Sequence, residues 1–386
     1  MSKTLFIFPT LMIFLLSCTP SSSDEGYPVL KASLEETNTS LYDIFEKIEI
    51  IPLETTDSSL LKGIQKIKYF DNKYYVFDGS MSRILFFDNK GKYINKIDAK
   101  GNGPGEYENI INFNLKETSR QIEIIATFDI FNYDLNASFI NKFALPTSNW
   151  RHRSMEHLDE KNYVLYRSAA PGEPVLQIVS KDESKEVKDL YIETFYLNSL
   201  RTAEIFSRDE QGNLYFTLPF LNEVYRITPD SLEIAYTWDF GSKTNDISKL
   251  KSAHIGDTDY NIVEQEALGH LRMFRNESHP NIFYSFAGQF QTASYYYAFL
   301  TFGPRDSKPK HLFYKKKTGE YILFEKTSEG VDIGRPLLVT NDYMITELDY
   351  EKKEAFAKIL TGENKEIIDN SNEDDNSFLI KYAFKK

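Results

Sequence analysis

Six short apolar strands of one type recur along the chain, and their spacing restricts the fold more than any other feature. They run Lys73–Asp78, Gln121–Ala126, Asn162–Arg167, Asn213–Leu218, Tyr296–Thr301 and Asp342–Glu347. Their central residues, Val76, Ile124, Leu165, Phe216, Phe299 and Ile345, lie 48, 41, 51, 83 and 46 positions apart. Four of these intervals match the repeat of a four-stranded propeller blade, about 40–50 residues. The interval of 83 residues is too long by most of a blade and requires an insertion.

A second element keeps the same time: strand, polar turn, strand. Its copies are Leu85–Ile97, Asn132–Ile140, Ile178–Val187, Tyr225–Ile234 and, after the long gap, Leu312–Leu323. Turn aspartates Asp88, Asp134, Asp182 and Asp230 are 46, 48 and 48 positions apart. Asp, Asn, Gly and Ser favour such turns through side-chain hydrogen bonds and permissive φ. We read this element as the outer hairpin of each blade and the first element as an inner strand, so six copies mean six blades.

A propeller must close its ring. The early strand Ile48–Leu53 and the late strand Phe378–Phe384 are left over, and pairing them in one composite blade clasps the ring. Pro52 suits the outermost edge there, where its missing N–H does little harm. The expected fold is therefore all-β: a six-bladed propeller of four-stranded antiparallel blades over residues 41–386, closed by its terminal strands. A pair of β-sandwiches is the competing architecture, but it does not demand six equal repeats.

Two helical insertions are expected. Tyr260, Val263, Ala267, Leu271 and Phe274 fall at three- and four-residue spacings inside an insertion at about 244–281, with Asp259 as N-cap. A second helix is expected over Tyr350–Leu360, capped by Asp349, with Ala355, Phe356, Ile359 and Leu360 on one stripe and Gly362 as terminator. Either helix serves equally as a plug between blades or as a lid.

Charge excludes some partners. The formal net charge is −12, and loss of Lys3 with the leader makes it −13. Nucleic acid needs clustered Lys and Arg, and so does a polybasic membrane patch.

The N-terminus carries an address. Lys3 precedes the apolar run Leu5–Leu16, which is too short to span a bilayer comfortably. The string Leu15-Leu16-Ser17-Cys18 resembles the lipobox of bacterial lipoproteins, and Cys18 is the only cysteine, so no internal disulfide supports the fold. The resemblance implies a signal peptide over residues 1–17, lipidation of Cys18 and attachment to a membrane through that anchor. Residues 18–40 are expected as a flexible tether. Asp24 and Glu25 resemble the acidic signals that send some lipoproteins to the cell surface, and read equally as a solvated linker, so the expected location is the outer membrane or cell surface, with a periplasm-facing orientation left open.

The segment Gly101-Asn102-Gly103-Pro104-Gly105-Glu106-Tyr107 resembles the G-x-G-P-G-E-Y signature of bacterial six-bladed β-propeller lipoproteins, a family known as a domain of unknown function. Ile50–Thr55, Ile84–Tyr93 and Asn376–Tyr382 resemble its opening strand, first outer hairpin and closing strand, although a proline often stands where Ser377 is. The family is similar in turn to NHL-type propellers, which mostly bind partners; some propellers are lactonases or hydrolases. No helix pattern and no Lys-Ser/Thr follow the glycines, so a nucleotide-binding loop is excluded. We expect Gly101, Gly103, Pro104, Gly105, Glu106 and Tyr107 to form a structural crossover between blades.

Chemistry-bearing motifs are sparse. His152, His157, His254, His270, His279 and His311 make no H-x-H or H-E-x-x-H pattern and read as partly exposed polar residues, so no metal site is expected. There is no G-x-S-x-G elbow. Asp369–Asn376 lacks the ligand alternation of a calcium loop. Propellers usually bind ligands on the face built from inter-blade crossovers and second-to-third strand loops. Candidate ligand-binding residues there are Arg83, Trp150, Arg151, His152, Arg305 and Arg335; a Trp beside an Arg stacks on a sugar or holds an acidic group. The expected function is a non-catalytic binding module for a glycan, a peptide or an envelope protein, with no cofactor. The rival is a hydrolase or lyase with channel carboxylates and calcium as its candidate cofactor.

Overall fold

A computed structural model describes residues 26–126, 129–145, 152–167, 174–181, 187–190, 204–246, 283–302 and 308–385. Strands β3 to β6 (Lys66–Phe70, Lys73–Asp78, Arg83–Asp88, Tyr93–Ile97) make blade one. Blade two is β7 to β10 (Asn112–Lys116, Gln121–Ile125, Asp129–Asp134, Phe139–Ala144) and blade three β11 to β14 (His152–His157, Asn162–Arg167, Leu176–Ser180, Val187–Leu190). Blade four is β15 to β18 (Phe206–Arg208, Leu214–Phe216, Glu223–Ile227, Leu232–Asp239). Blade five is β19 to β22 (Tyr284–Gln291, Tyr295–Phe302, Lys310–Lys315, Tyr321–Phe324). The sixth combines β23 (Pro336–Val339), β24 (Tyr343–Leu348), β25 (Phe378–Phe384) and, outermost, β2 (Phe45–Pro52).

The ring closes as the leftover strands require. β2 runs antiparallel to β25, with Ile48 opposite Tyr382, Ile50 opposite Ile380 and Pro52 opposite Phe378. Successive residues of this pair face different neighbours. Ile48, Ile50 and Ile380 pack with Tyr295, Phe313 and Phe324 of blade five, whereas Ile51 and Leu379 pack with Val76, Leu85 and Phe87 of blade one. Among the described residues the buried apolar side chains form six clusters, one at each blade–blade interface. Each blade thus buries both faces, which is why its strands read as continuous apolar runs.

One assignment needs correction. First strands of neighbouring blades touch around the axis, as β3 does with β7 and β23, and β7 with β11. The six repeated strands found in the sequence are therefore second strands, one step out from the axis. A second strand is covered on both faces and paired on both sides, so it carries the strongest apolar run. A first strand has one side on the channel and reads as partly polar: Lys-Ile-Lys in β3, Asn-Phe-Asn in β7.

Two of the turn aspartates do the same work. Asp88 Oδ1 accepts from the Lys90 and Lys92 amides at 2.8 and 2.9 Å, and Asp134 Oδ1 from Asn136 and Ser138, both at 2.8 Å. Thr228 replaces Asp230 in the fourth copy, its Oγ1 accepting from Ser231 N at 2.9 Å. Asp182 lies outside the described residues.

The later part of the stretch expected as a tether, residues 18–40, is fixed to the ring. From Val29 the chain is laid on the rim: β1 (Val29–Lys31) pairs in parallel with Thr237–Asp239 of β18 as a fifth strand of blade four. Leu30 and Leu34 are buried between blades four and five, Thr37 N bonds Leu323 O at 2.7 Å, and Lys310 Nζ meets Glu36 at 2.6 Å. Ser40 then caps the single turn α1 (Leu41–Ile44), with Asp43 completing the capping box. Two leucines and an open strand edge outweigh the polar composition of the surrounding stretch.

The second expected helix breaks in two. Tyr350–Lys352 is a 3-10 turn, α2 spans Lys353–Ala357 and α3 spans Gly362–Asp369. Asp349 occupies the cap position without a side-chain cap bond, and Gly362, at φ +58°, opens α3 instead of ending the helix before it. The helix expected between Asp257 and Asn276 lies outside the described residues.

Candidate functional site

Side chains of the first strands meet near the ring axis. Lys66 and Lys68 project from β3 and Glu156 from β11, while Glu204 stands just before β15 and Arg208 at its end. With Phe206, Phe290, Leu337 and Val339 they line a cavity of ≈170 Å³. It draws residues from five blades, which explains why no local motif announces it.

The polar wall is an ion-pair network. Lys66 Nζ donates to Asn112 Oδ1 at 2.9 Å and stands 3.6 and 3.8 Å from Glu156 and Glu204. Lys68 Nζ lies 3.4 Å from Glu156. Asn112 Nδ2 donates to Ser154 Oγ at 2.8 Å, linking blade two to blade three. Burial pushes the Lys66 ammonium below its ordinary value, while Glu204 and Glu156 counter that push. Burial alone would raise the Glu156 carboxyl, but Lys68, Lys66 and Arg208 hold it down at about 2. Arg208 donates to the carbonyls of Gly212 and His157, which fixes its guanidinium at one end of the cavity.

Of the residues expected to bind ligand, the two whose side chains are described, Arg83 and Arg335, do not line this cavity. Arg83 is 7% exposed and is turned inward, pairing with Asp78 at 3.4 Å and donating to Leu60 O. Arg335 donates to the carbonyls of Ile64 and Gln65 at 3.0 and 3.3 Å, which ties blade six to blade one. His152 starts β11, but its side chain lies outside the described residues, as do Trp150, Arg151 and Arg305.

The glycine loop connects β6 to β7. Glu106 accepts from Gly103 N at 2.8 Å; Gly101 N bonds Tyr107 O and Tyr107 N bonds Ala99 O, both at 3.0 Å. Tyr107 is buried under the loop, and Tyr133 donates to Gly105 O. A Cβ on Gly101 would meet Glu106 Oε2 at 2.0 Å; one on Gly105, at φ +78°, would meet the Phe139 ring at 2.6 Å. Pro104 sits between these glycines and fixes φ there.

Two histidines have structural partners that the sequence did not reveal. His157 Nε2 lies 2.7 Å from Glu123, a buried carboxylate that also accepts from Tyr163 OH at 2.7 Å. His311 is buried against the Tyr297 hydroxyl at 2.9 Å, and burial lowers its pKa to about 3. Among the described residues no group of three His, Cys, Asp or Glu side chains is placed to hold a metal ion.

A larger groove of ≈450 Å³ lies on the rim, where α3 crosses the end of β2. Several of its polar groups are already engaged: Glu54 accepts from Tyr93 N, Asp375 from Asn372 N, and Asn376 donates to Glu54 O and Ser59 O. The axial cavity is therefore the better candidate site.

A family described as Domain of unknown function (DUF4934) matches residues 28–383. The chain belongs to this family. The match begins at Pro28, beside the rim strand β1, and ends inside the closing strand β25. No curated protein matches the chain. Among solved structures, a candidate exported protein from Bacteroides fragilis superposes with a TM-score of 0.72 at 17% identity, covering 93% of this chain and all of that one. A member of the DUF4221 family from Bacteroides vulgatus gives a TM-score of 0.52 at 12% identity, covering 88% of this chain and 97% of that one. At such identities the likeness is one of fold.

Proposed function

We propose that this family member is an exported, lipid-anchored envelope protein that acts as a non-catalytic binding module, with the axial cavity as its ligand site. The lipobox-like string ending at Cys18 supports export and anchoring. One observation carries the binding reading: side chains from five blades build a single cavity with an ionic wall and an apolar wall. Ligand sites commonly pair an apolar lining with a few fixed polar groups. A general acid works best with a pKa near the working pH, so Glu156, at about 2, does not suit that role. A glycan or peptide end reaching the axis fits this arrangement.

Anchoring is tested by metabolic labelling with a radiolabelled fatty acid. Label should enter the wild type and be lost in Cys18→Ser; equal labelling of both would contradict the anchor. Binding is tested with the soluble chain from Thr19 on a glycan array and in cross-linking to envelope extracts. Saturable capture of one ligand class supports the module. Turnover of a captured glycan or peptide would replace it with the hydrolase or lyase reading.

A further inference from the structure

The charges lining the axial cavity do not balance. Three cations, Lys66, Lys68 and Arg208, face two carboxylates, Glu156 and Glu204. Beyond the Glu204 end, Arg335 and Glu347 act on each other and cancel. One positive charge is left over, on the axis of a chain whose formal net charge is −12. Lys68 keeps 29% of its side chain exposed, so this surplus charge is open to one incoming anion, and hydrogen bonds between ionised groups are the strong ones.

The surplus falls on Lys68. Lys66 donates to Asn112 at 2.9 Å and lies between both carboxylates. Lys68 Nζ has one partner among the described residues, Glu156 at 3.4 Å. An ammonium has three N–H groups, so donors remain for a ligand. The facing wall is apolar: Phe206, Phe290, Leu337 and Val339. The cavity of ≈170 Å³ has room for about five or six waters at ~30 Å³ each.

Resting on the reading of the cavity as a ligand site, we propose that it binds a single carboxylate borne on a small apolar body. The carboxylate bonds Lys68 Nζ, and the apolar body packs on Phe290 and Val339. The same chemistry is offered by a free aromatic or aliphatic acid and by the C-terminal residue of a peptide. Neutral sugars and dianionic phosphates fit less well, the first lacking a charge and the second overcompensating one.

The test is calorimetric titration of the chain from residue 18, carrying Cys18→Ser, with phenylacetate, phenylacetamide, Gly-Gly-Phe and Gly-Gly-Phe amide. Phenylacetate is expected to bind with a Kd of about 1 mM, as suits a ligand of some ten heavy atoms. Each amide should bind at least tenfold more weakly than its acid. Lys68→Gln should weaken phenylacetate at least tenfold, and Lys68→Arg should restore it to within threefold. Tighter binding of Gly-Gly-Phe than of phenylacetate identifies a peptide end as the source; the reverse identifies a free acid. Equal affinity for acid and amide, no effect of Lys68→Gln, or no binding of either acid overturns the proposal. Array or extract ligands that Lys68→Gln still captures would leave the binding module standing without its carboxylate site.

Discussion

Ile50 and Ile380, 330 positions apart in sequence, lie directly opposite each other across the β2–β25 ladder. Both are buried in the cluster joining blade six to blade five. Residues next to them on the same strands, Ile51 and Leu379, pack toward blade one. The seam is therefore held by alternation within one pair of strands, and its two sides fail together.

Ile380→Ala deletes buried methylenes at this seam and should cost about 2–5 kcal/mol. Equilibrium urea unfolding is the measure. A loss below about 0.5 kcal/mol, the size of an ordinary surface change, would contradict the packing described for β25.

Asn364 acts as a substitute strand for the outer edge of β2. Its Oδ1 accepts from Ile50 N at 2.9 Å and its Nδ2 donates to Ile48 O at 3.0 Å. Open edges invite pairing with other chains. Asn364→Ala should cost about 1–2 kcal/mol for the two lost bonds and increase association on warming. Static light scattering through a thermal ramp reads the second effect; unchanged scattering and stability would mean that α3 shields the edge without this amide.

Gly105 takes φ +78° with the Phe139 ring close behind it. Gly105→Ala should destabilise by more than about 1 kcal/mol, since the residue must both hold a left-handed conformation and displace an aromatic ring. Gly212, at φ +82° with nothing within 4 Å, isolates the backbone part of the effect. If the two alanine variants lose equal stability, the contact with Phe139 contributes nothing.

Acid should destabilise the protein in two stages. His311 has a folded pKa of about 3 against an ordinary 6.5. Below pH 6.5 the unfolded chain takes up a proton that the folded chain refuses, so stability falls with pH by up to about 1.4 kcal/mol per unit. Asp332 and Lys352, which act on the ring with opposite signs, leave burial as the main cause. Glu156, at about 2 against 4.5, adds stability that is present above pH 4.5 and is lost as pH falls toward 2. Urea midpoints of wild type and His311→Phe, measured from pH 7.5 to 5, should diverge because only the wild type carries this slope. Parallel curves would place the titration elsewhere.

The ring was legible because second strands and outer hairpins repeat as local patterns. Val76, Ile124 and Leu165 are buried at equivalent places in successive blades, and so carry similar sequence around them. The cavity was not legible, because its residues are brought together only by closure. Lys66 and Lys68 alternate around Ile67 in a strand whose polar face points to the axis, and the same alternation in Asn112-Phe113-Asn114 was the available signal. Arg83 illustrates the converse: a charged residue at the start of a third strand looked free, but Asp78, five residues earlier, had already claimed it. The rim strand β1 was hidden because three residues are too few to show a period.

The closed ring, on which the axial cavity depends, is tested most directly by one engineered cross-link. Glu49 and Lys381 are opposite residues on β2 and β25. Such pairs have Cβ atoms about 4.5–5.5 Å apart, within reach of a disulfide after small adjustment. In a Cys18→Ser background, Glu49→Cys with Lys381→Cys should oxidise to a single intramolecular species with altered mobility on a non-reducing gel. Glu49→Cys with Ala383→Cys, displaced by two residues, should form it much more slowly. Absence of the bond in the first pair, or equal yield in both, would contradict closure of the propeller by its two terminal strands.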